Sequence, residues 1–173
     1  PKDLAAFRAQ AARLGYDFRL LDEVVRINDE AVESAFAKVR EVLWNLEGKR
    51  IALLGLAFKP GTDDVREAPA LRLAALLLGA GATVVGHDPW ANESAQRDLP
   101  GLEVAPDPYA AADGAHCLVI ATEWPEFAGL DLGRMKGVLT HPILVDCRNL
   151  FSPEAMADTG LTYVPTGRPG VNL

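Results

Sequence analysis

From residue 50 onward, short apolar runs alternate with segments of helical periodicity, and this alternation constrains the fold more than any other feature of the chain. The runs at 51–54, 83–86, 117–121 and 143–145 are too short for helices and end at glycine, aspartate or a turn. Continuous apolar runs of that length read as strands buried on both faces, and their alternation with helices implies βαβ units and a parallel sheet. Helical segments fall at 70–78, closed by Gly79-Ala80-Gly81, at 108–112 and at 153–158, with weaker strands at 102–104 and 161–164. The tail 166–173 is expected to be mobile.

The first third reads differently. In 3–14, Leu4, Phe7, Ala11 and Leu14 recur at helical steps until Gly15. A longer helix follows over 21–46, where Leu21, Val25, Val32, Ala35, Val39, Val42 and Leu46 keep a heptad step broken only at Asn28, with Gly48 as the stop. About 26 residues at the helical rise make roughly 39 Å, longer than a small domain is wide. Val24, Ile27, Ala31, Phe36 and Leu43 add a second apolar flank, so the helix either packs on its own domain or also serves a homodimer through 21–46. The expected fold class is therefore α/β: a Rossmann-like parallel sheet flanked by helices at 49–173, preceded by a helical connector at 1–48 with one long helix.

A net charge of −7 and a pI near 4.9 give a field that repels polyanions and supports neither nucleic-acid nor anionic-membrane binding. Cys117 and Cys147 lie inside apolar segments and read as buried, inert thiols. Metal-ligand spacing, a signal peptide and a membrane-spanning run are all absent from the sequence, which reads as soluble and cytoplasmic. It starts Pro1-Lys2-Asp3 without a methionine, as though cut from something longer.

Any anion site must then be local, and the stretch after the first strand is the place for one. Gly55 ends the 51–54 run, Pro69 suits a first helical position, and Phe58, Lys59 and Arg66 lie between them. In open α/β sheets ligands bind at the carboxyl ends of strands, and a helix amino terminus there favours anions. Gly55 is followed by Leu56-Ala57-Phe58, so the Gly-x-Gly-x-x-Gly dinucleotide fingerprint is missing. Exposed loop charge is the other reading of Lys59 and Arg66. Arg148, after the 143–145 strand, is either a third cation for the same ligand or a salt-bridge partner of Asp146. Asp88 stands where a dinucleotide fold puts its ribose-binding acid, but before Pro89 it reads as a turn former, with His87 at the surface. Thr122 reads as a helix cap, and Trp124 and Phe127 as loop packing.

Several of these segments carry a family resemblance. GLAFKPGTDDVREAP at 55–69 resembles the Gly-x-x-Phe-Lys-x-x-Thr-x-Asp-x-Arg-Glu-Ser-Pro pattern opening the third domain of the UDP-glucose dehydrogenase family, with Ala68 in place of serine. Thr122-Glu123-Trp124 with Glu126-Phe127, Asp146-Cys147-Arg148-Asn149, Gly86-His87-Asp88-Pro89 and Pro1-Lys2-Asp3 fall in the family's order as well. The resemblance implies the carboxy-terminal part of an enzyme that oxidises UDP-glucose twice with NAD to UDP-glucuronate, through a cysteine thioester. It implies that Phe58, Lys59 and Arg148 serve the nucleotide sugar, that Arg66 and Lys2 serve NAD, and that Asp3 supports catalysis. The nucleophilic cysteine and the amino-terminal NAD-binding domain would lie outside the chain, which alone should be inactive. Sister enzymes acting on UDP-N-acetylmannosamine or GDP-mannose share the fold, but the Thr122-Glu123-Trp124 segment and the Pro1-Lys2-Asp3 spacing favour UDP-glucose. A phosphoacceptor or other nucleotide-binding module using Asp88 is the remaining alternative.

Overall fold

A computed structural model of the chain describes residues 2–173, without the side chains of Lys2, Asp3 and Ala5. The sequence expectations for Lys2 and Asp3 therefore lie outside the described side chains. Helix α1 (Lys2–Arg13) and the long α2 (Arg19–Leu43) lead into β1 (Arg50–Leu54), α3 (Pro69–Gly79), β2 (Thr83–His87), α4 (Asn92–Asp98) and β3 (Glu103–Val104). The second half runs α5 (Pro108–Ala112), β4 (Cys117–Ile120), α6 (Pro125–Ala128), α7 (Leu132–Val138), β5 (Ile143–Asp146), α8 (Pro153–Met156) and β6 (Thr162–Pro165). Among the described residues the strands form one parallel sheet in the order β3-β2-β1-β4-β5-β6. This is the doubly wound Rossmann order, with its switch point between β1 and β4.

Alternation along the central strands sorts their side chains onto two apolar layers, as the period of two requires. Ile51, Leu53, Cys117, Val119 and Val145 face a layer completed by Leu73 and Leu77 of α3 and Val32, Ala35, Val39 and Leu43 of α2. Ala52, Leu54, Leu118, Ile120 and Leu144 face the other, beside Ala111 and Ala112 of α5, Phe127, Met135 and Met156. Burial on both faces is why these strands carry continuous apolar runs. The second half of α2 thus belongs to the same core as the sheet.

The long helix ends earlier than Gly48. Trp44 adopts φ +61° and its N–H returns to Arg40 O at 2.8 Å, which stops the helix. Leu46, assigned to the heptad series, reaches the core from beyond the helix. Leu43, assigned to the outer flank, is buried in the core, whereas Leu20 and Ile27 are exposed. The tail is not a loose end: Val171 pairs antiparallel with Tyr163, and Thr162 Oγ1 and Asn172 Nδ2 bond backbone carbonyls between the tail and β6. No helix among the described residues is long and apolar enough to cross a membrane.

Among the described glycines, Gly55, at φ +87°, makes the closest approach to backbone: an added Cβ would stand 2.5 Å from Thr122 Cβ and 2.7 Å from its backbone nitrogen. Both the backbone conformation and the space exclude a side chain. Gly55→Ala should lower stability by about 3 kcal/mol or more. Chemical denaturation of the variant beside a control such as Gly137→Ala, whose site is open, checks this; equal stability of the two variants would contradict the close approach.

Candidate functional site

The carboxyl ends of β1, β2, β4 and β5 are shaped by two buried carboxylates. Asp88, only 1% exposed, accepts from the backbone N–H groups of Leu56 and Ala57 through Oδ2 and of Trp90 and Ala91 through Oδ1, at 2.8–3.0 Å. Its Oδ2 also accepts from Trp124 Nε1 at 3.0 Å. One side chain therefore fixes the loop after β1, the turn after β2 and the loop after β4. A carboxylate that accepts this many N–H bonds in a buried position has no lone pair left for a ribose or a phosphoryl group. The turn reading of Asp88 is the one the geometry supports, and the phosphoacceptor alternative loses its acceptor. His87 is corrected from surface to buried: its Nδ1 lies 3.0 Å from Ala105 O, and its ring packs near Phe127.

Asp146 plays the corresponding role after β5. Its Oδ1 accepts from Arg148 N at 3.0 Å, and its Oδ2 from Phe151 N at 3.1 Å and Tyr163 Oη at 3.0 Å. Burial first, and then the Asp146 charge, push the Tyr163 phenol well above its ordinary range. Asn149, at φ +52°, exchanges two bonds with the Thr166 backbone at 2.9 and 3.0 Å. Lys38 of α2 donates to Pro165 O and Thr166 Oγ1 at 2.9 and 3.1 Å, which ties that corner to the long helix. Thr122 is not a cap. It is buried, and its hydroxyl donates to Ala57 O at 2.8 Å across the β1–β4 switch point.

Between these loops and helices α1, α2 and α3 lies a groove of about 940 Å³. Phe58 and Lys59 reach it from the loop after β1, Cys147 and Arg148 from the loop after β5, and Thr166 from the loop after β6. The opposite wall comes from α2 and α3, with Val32, Ala35, Ala70 and Leu73 among its apolar residues. Three of the groove's cations have acidic partners: Arg8 with Asp22 at 2.5 Å, Arg72 with Asp29 at 2.7 Å, and Arg148 with Glu123 at 2.5 and 2.8 Å. Lys59 is exposed and forms no ion pair among the described residues. Arg148 was read as a possible partner of Asp146, yet only its backbone N–H goes there; its guanidinium holds the Glu123 carboxyl below the usual carboxylate range.

Arg66 stands outside the groove, exposed and paired with Asp64 through Nε at 2.8 Å and Nη2 at 2.6 Å. The structure thus brings Phe58, Lys59 and Arg148 to one groove and leaves Arg66 apart from them. Cys117 is buried in the sheet, and burial pushes the Cys147 thiol up to about 11, so neither is poised as a thiolate. Among the described residues no cluster of three or more His, Cys, Asp or Glu side chains could hold a metal ion. Sequence reasoning missed Glu123 and Thr166. Glu123 lies between the singled-out Thr122 and Trp124, and Thr166 opens the tail segment, but only the loop geometry turns them toward the site.

Residues 52–153 match the description UDP-glucose/GDP-mannose dehydrogenase family, UDP binding domain. A UDP-glucose 6-dehydrogenase of Rhizobium meliloti (strain 1021) is 41% identical over 170 residues, covering 98% of this chain and 39% of its own length. Among solved structures, a UDP-glucose dehydrogenase from Pyrobaculum islandicum superposes with a TM-score of 0.77 at 38% identity, over 86% of this chain and 33% of that one. A UDP-D-ManNAc dehydrogenase from Pyrococcus horikoshii gives a TM-score of 0.77 at 27% identity, over 91% and 36%. The chain thus spans about two-fifths of the length of the curated relatives it matches.

Removing the Asp88 carboxylate leaves five N–H groups in a buried position without their acceptor. Asp88→Ala should destabilise the fold by about 3–5 kcal/mol, the range for breaking a buried, fully hydrogen-bonded charge. Urea denaturation checks the magnitude, and Trp124 fluorescence should shift as its indole loses Asp88; a loss under about 1 kcal/mol would show that water replaces the carboxylate without cost.

Proposed function

The chain belongs to the UDP-glucose/GDP-mannose dehydrogenase family, and from that premise we propose that its groove binds the nucleotide sugar of a UDP-glucose 6-dehydrogenase. The observation that carries the reading is the convergence of Lys59 and Arg148, from loops after two different strands, on one groove that also holds Phe58. Lys59 supplies a positive charge held in no ion pair among the described residues and Arg148 a planar fork of donors, which together suit a diphosphate. Phe58, 40% exposed, offers an apolar face to the sugar or base. The acidic chain makes this a local site, selective for a small anion over a polyanion.

In the whole enzyme we assign NAD to a domain other than this sheet. The corner after β1 lacks the glycine fingerprint, Gly55 is packed against Thr122, and Asp88 has no free acceptor for a ribose, so the residues present do not fit a dinucleotide there. Arg66, exposed and outside the groove, is the group suited to reach an anionic cofactor held elsewhere. NAD, when bound, supplies the hydride acceptor for oxidation of the sugar alcohol. The chain's own contribution is to bind and orient the substrate, and we expect the chain alone to bind without turnover. A cytoplasmic enzyme working as a homodimer through α2 completes the proposal; the exposed Leu20 and Ile27 on α2 and Phe7 on α1 support that interface.

Two outcomes are expected. Lys59→Ala should weaken UDP binding to the chain by about 2 kcal/mol, roughly thirty-fold, while Arg66→Ala leaves it within about twofold. In the complete enzyme the ranking should reverse for NADH. Calorimetric titration of both variants tests the division, and equal losses for both ligands would refute it. Sedimentation at micromolar concentration should show a dimer that Ile27→Glu converts to monomer; a monomeric parent chain refutes the α2 interface.

A further inference from the structure

We propose that Glu123 is a positioning residue for Arg148, an inference that rests on the reading of the groove as a diphosphate site. The two residues are 25 positions apart on different loops, and each is fixed at its own backbone before the side chains meet. Glu123 lies between two buried anchors: Thr122 donates to Ala57 O at 2.8 Å and Trp124 Nε1 to Asp88 Oδ2 at 3.0 Å. Arg148 N is held by Asp146 Oδ1 at 3.0 Å, and Asn149 is clamped to the Thr166 backbone.

Across this fixed gap, Arg148 Nε donates to Glu123 Oε2 at 2.5 Å and Nη2 to Oε1 at 2.8 Å. A guanidinium has five N–H donors in a rigid plane. The carboxylate takes the edge formed by Nε and one Nη2 proton. That leaves the end formed by Nη1 and the second Nη2 proton, which is the geometry for two parallel bonds to an oxyanion.

The pair is half-exposed on both sides, so its contribution to stability is small and its main consequence is geometric. Without Glu123 the arginine keeps its charge but has no fixed plane, and a ligand must order it on binding. The pair is also electrically neutral, so Arg148 acts by direction more than by charge. Glu123 thereby links the β4 loop to a ligand it need not touch.

The test is calorimetric titration of UDP into the chain and into E123A, E123Q, R148A and E123A/R148A, with thermal melting as the check on folding. R148A should lose about thirtyfold in affinity and E123A about fivefold, while E123Q, which keeps one acceptor oxygen, should stay within about twofold. The double variant should bind no worse than R148A, because Glu123 acts only through Arg148. Unchanged or tighter binding by E123A would overturn the proposal, the latter showing a carboxylate that competes with the ligand. So would an E123A loss that persists in the R148A background. If R148A and K59A both bind UDP as the parent does, the groove reading itself falls; if R148A loses affinity and E123A does not, only the positioning role falls.

Discussion

The structure depends on a buried carboxylate, Asp88, that forms no ion pair among the described residues. Asp88 is held by N–H dipoles, and those dipoles belong to the three segments that follow β1, β2 and β4 at the carboxyl edge of the sheet. Satisfying a buried carboxylate requires nearly all of its acceptor sites to be filled, so the loop after β1 can take only the path that presents Leu56 and Ala57 N–H. That path carries the chain past Thr122 at Gly55, where no Cβ fits, and delivers Phe58 and Lys59 to the groove. The residue position that binds a ribose in an ordinary dinucleotide fold is here a structural hub. A sheet of Rossmann order thus carries a different arrangement at this corner without any change of topology.

Charge in the groove follows from the same economy of placement. In an acidic chain, three groove arginines are each matched by a carboxylate from a neighbouring element, and Lys59 is left over. Matched pairs contribute little long-range field, since their potentials cancel beyond a few ångströms and salt screens the remainder. In the proposed reading, Lys59 supplies the charge for an anion, with Glu67 the groove's carboxylate outside these pairs, and Arg148 recognises the anion's shape. An exposed Arg66 paired with Asp64 lies outside the groove, apart from Lys59 and Arg148 in space.

Much of the fold was legible because both-face burial writes continuous apolar runs, and each of the four strong strands was found from such a run. What escaped had a physical reason in each case. Helices α4, α6 and α7 are too short to show a helical period, and α7 is capped by an Asp131 that looks like any loop aspartate. Apolar spacing carried the long helix through to Leu46, but Trp44 in a left-handed conformation ends it, and nothing in the pattern distinguishes a residue buried from the helix from one buried just past it. His87 follows a strand and precedes an aspartate, which suggests a surface turn; its ring is instead covered by the loop at Ala105. The candidate site was legible in Phe58, Lys59 and Arg148. The partner of Arg148, Glu123, comes from another loop, and sequence spacing says nothing about which loops meet.

Preorganisation of the groove follows from how its two walls are made. One wall is α2, whose Val32 and Ala35 both line the groove and sit in the core beneath it, so that wall cannot shift without disturbing packing against the sheet. The other wall consists of loops, ordinarily the most mobile parts of a fold. Here Asp88 fixes the first, Asp146 the second and Asn149 the third, and Lys38 bonds the last of them to α2 itself. A ligand entering between them meets groups whose backbone positions are already set, so less of its interaction energy is lost to ordering the protein. The side chain with most freedom left is Lys59, which is exposed and without an ion pair among the described residues. If the groove binds a diphosphate as proposed, a flexible point charge beside a fixed arginine plane leaves room for variation in the ligand beyond it.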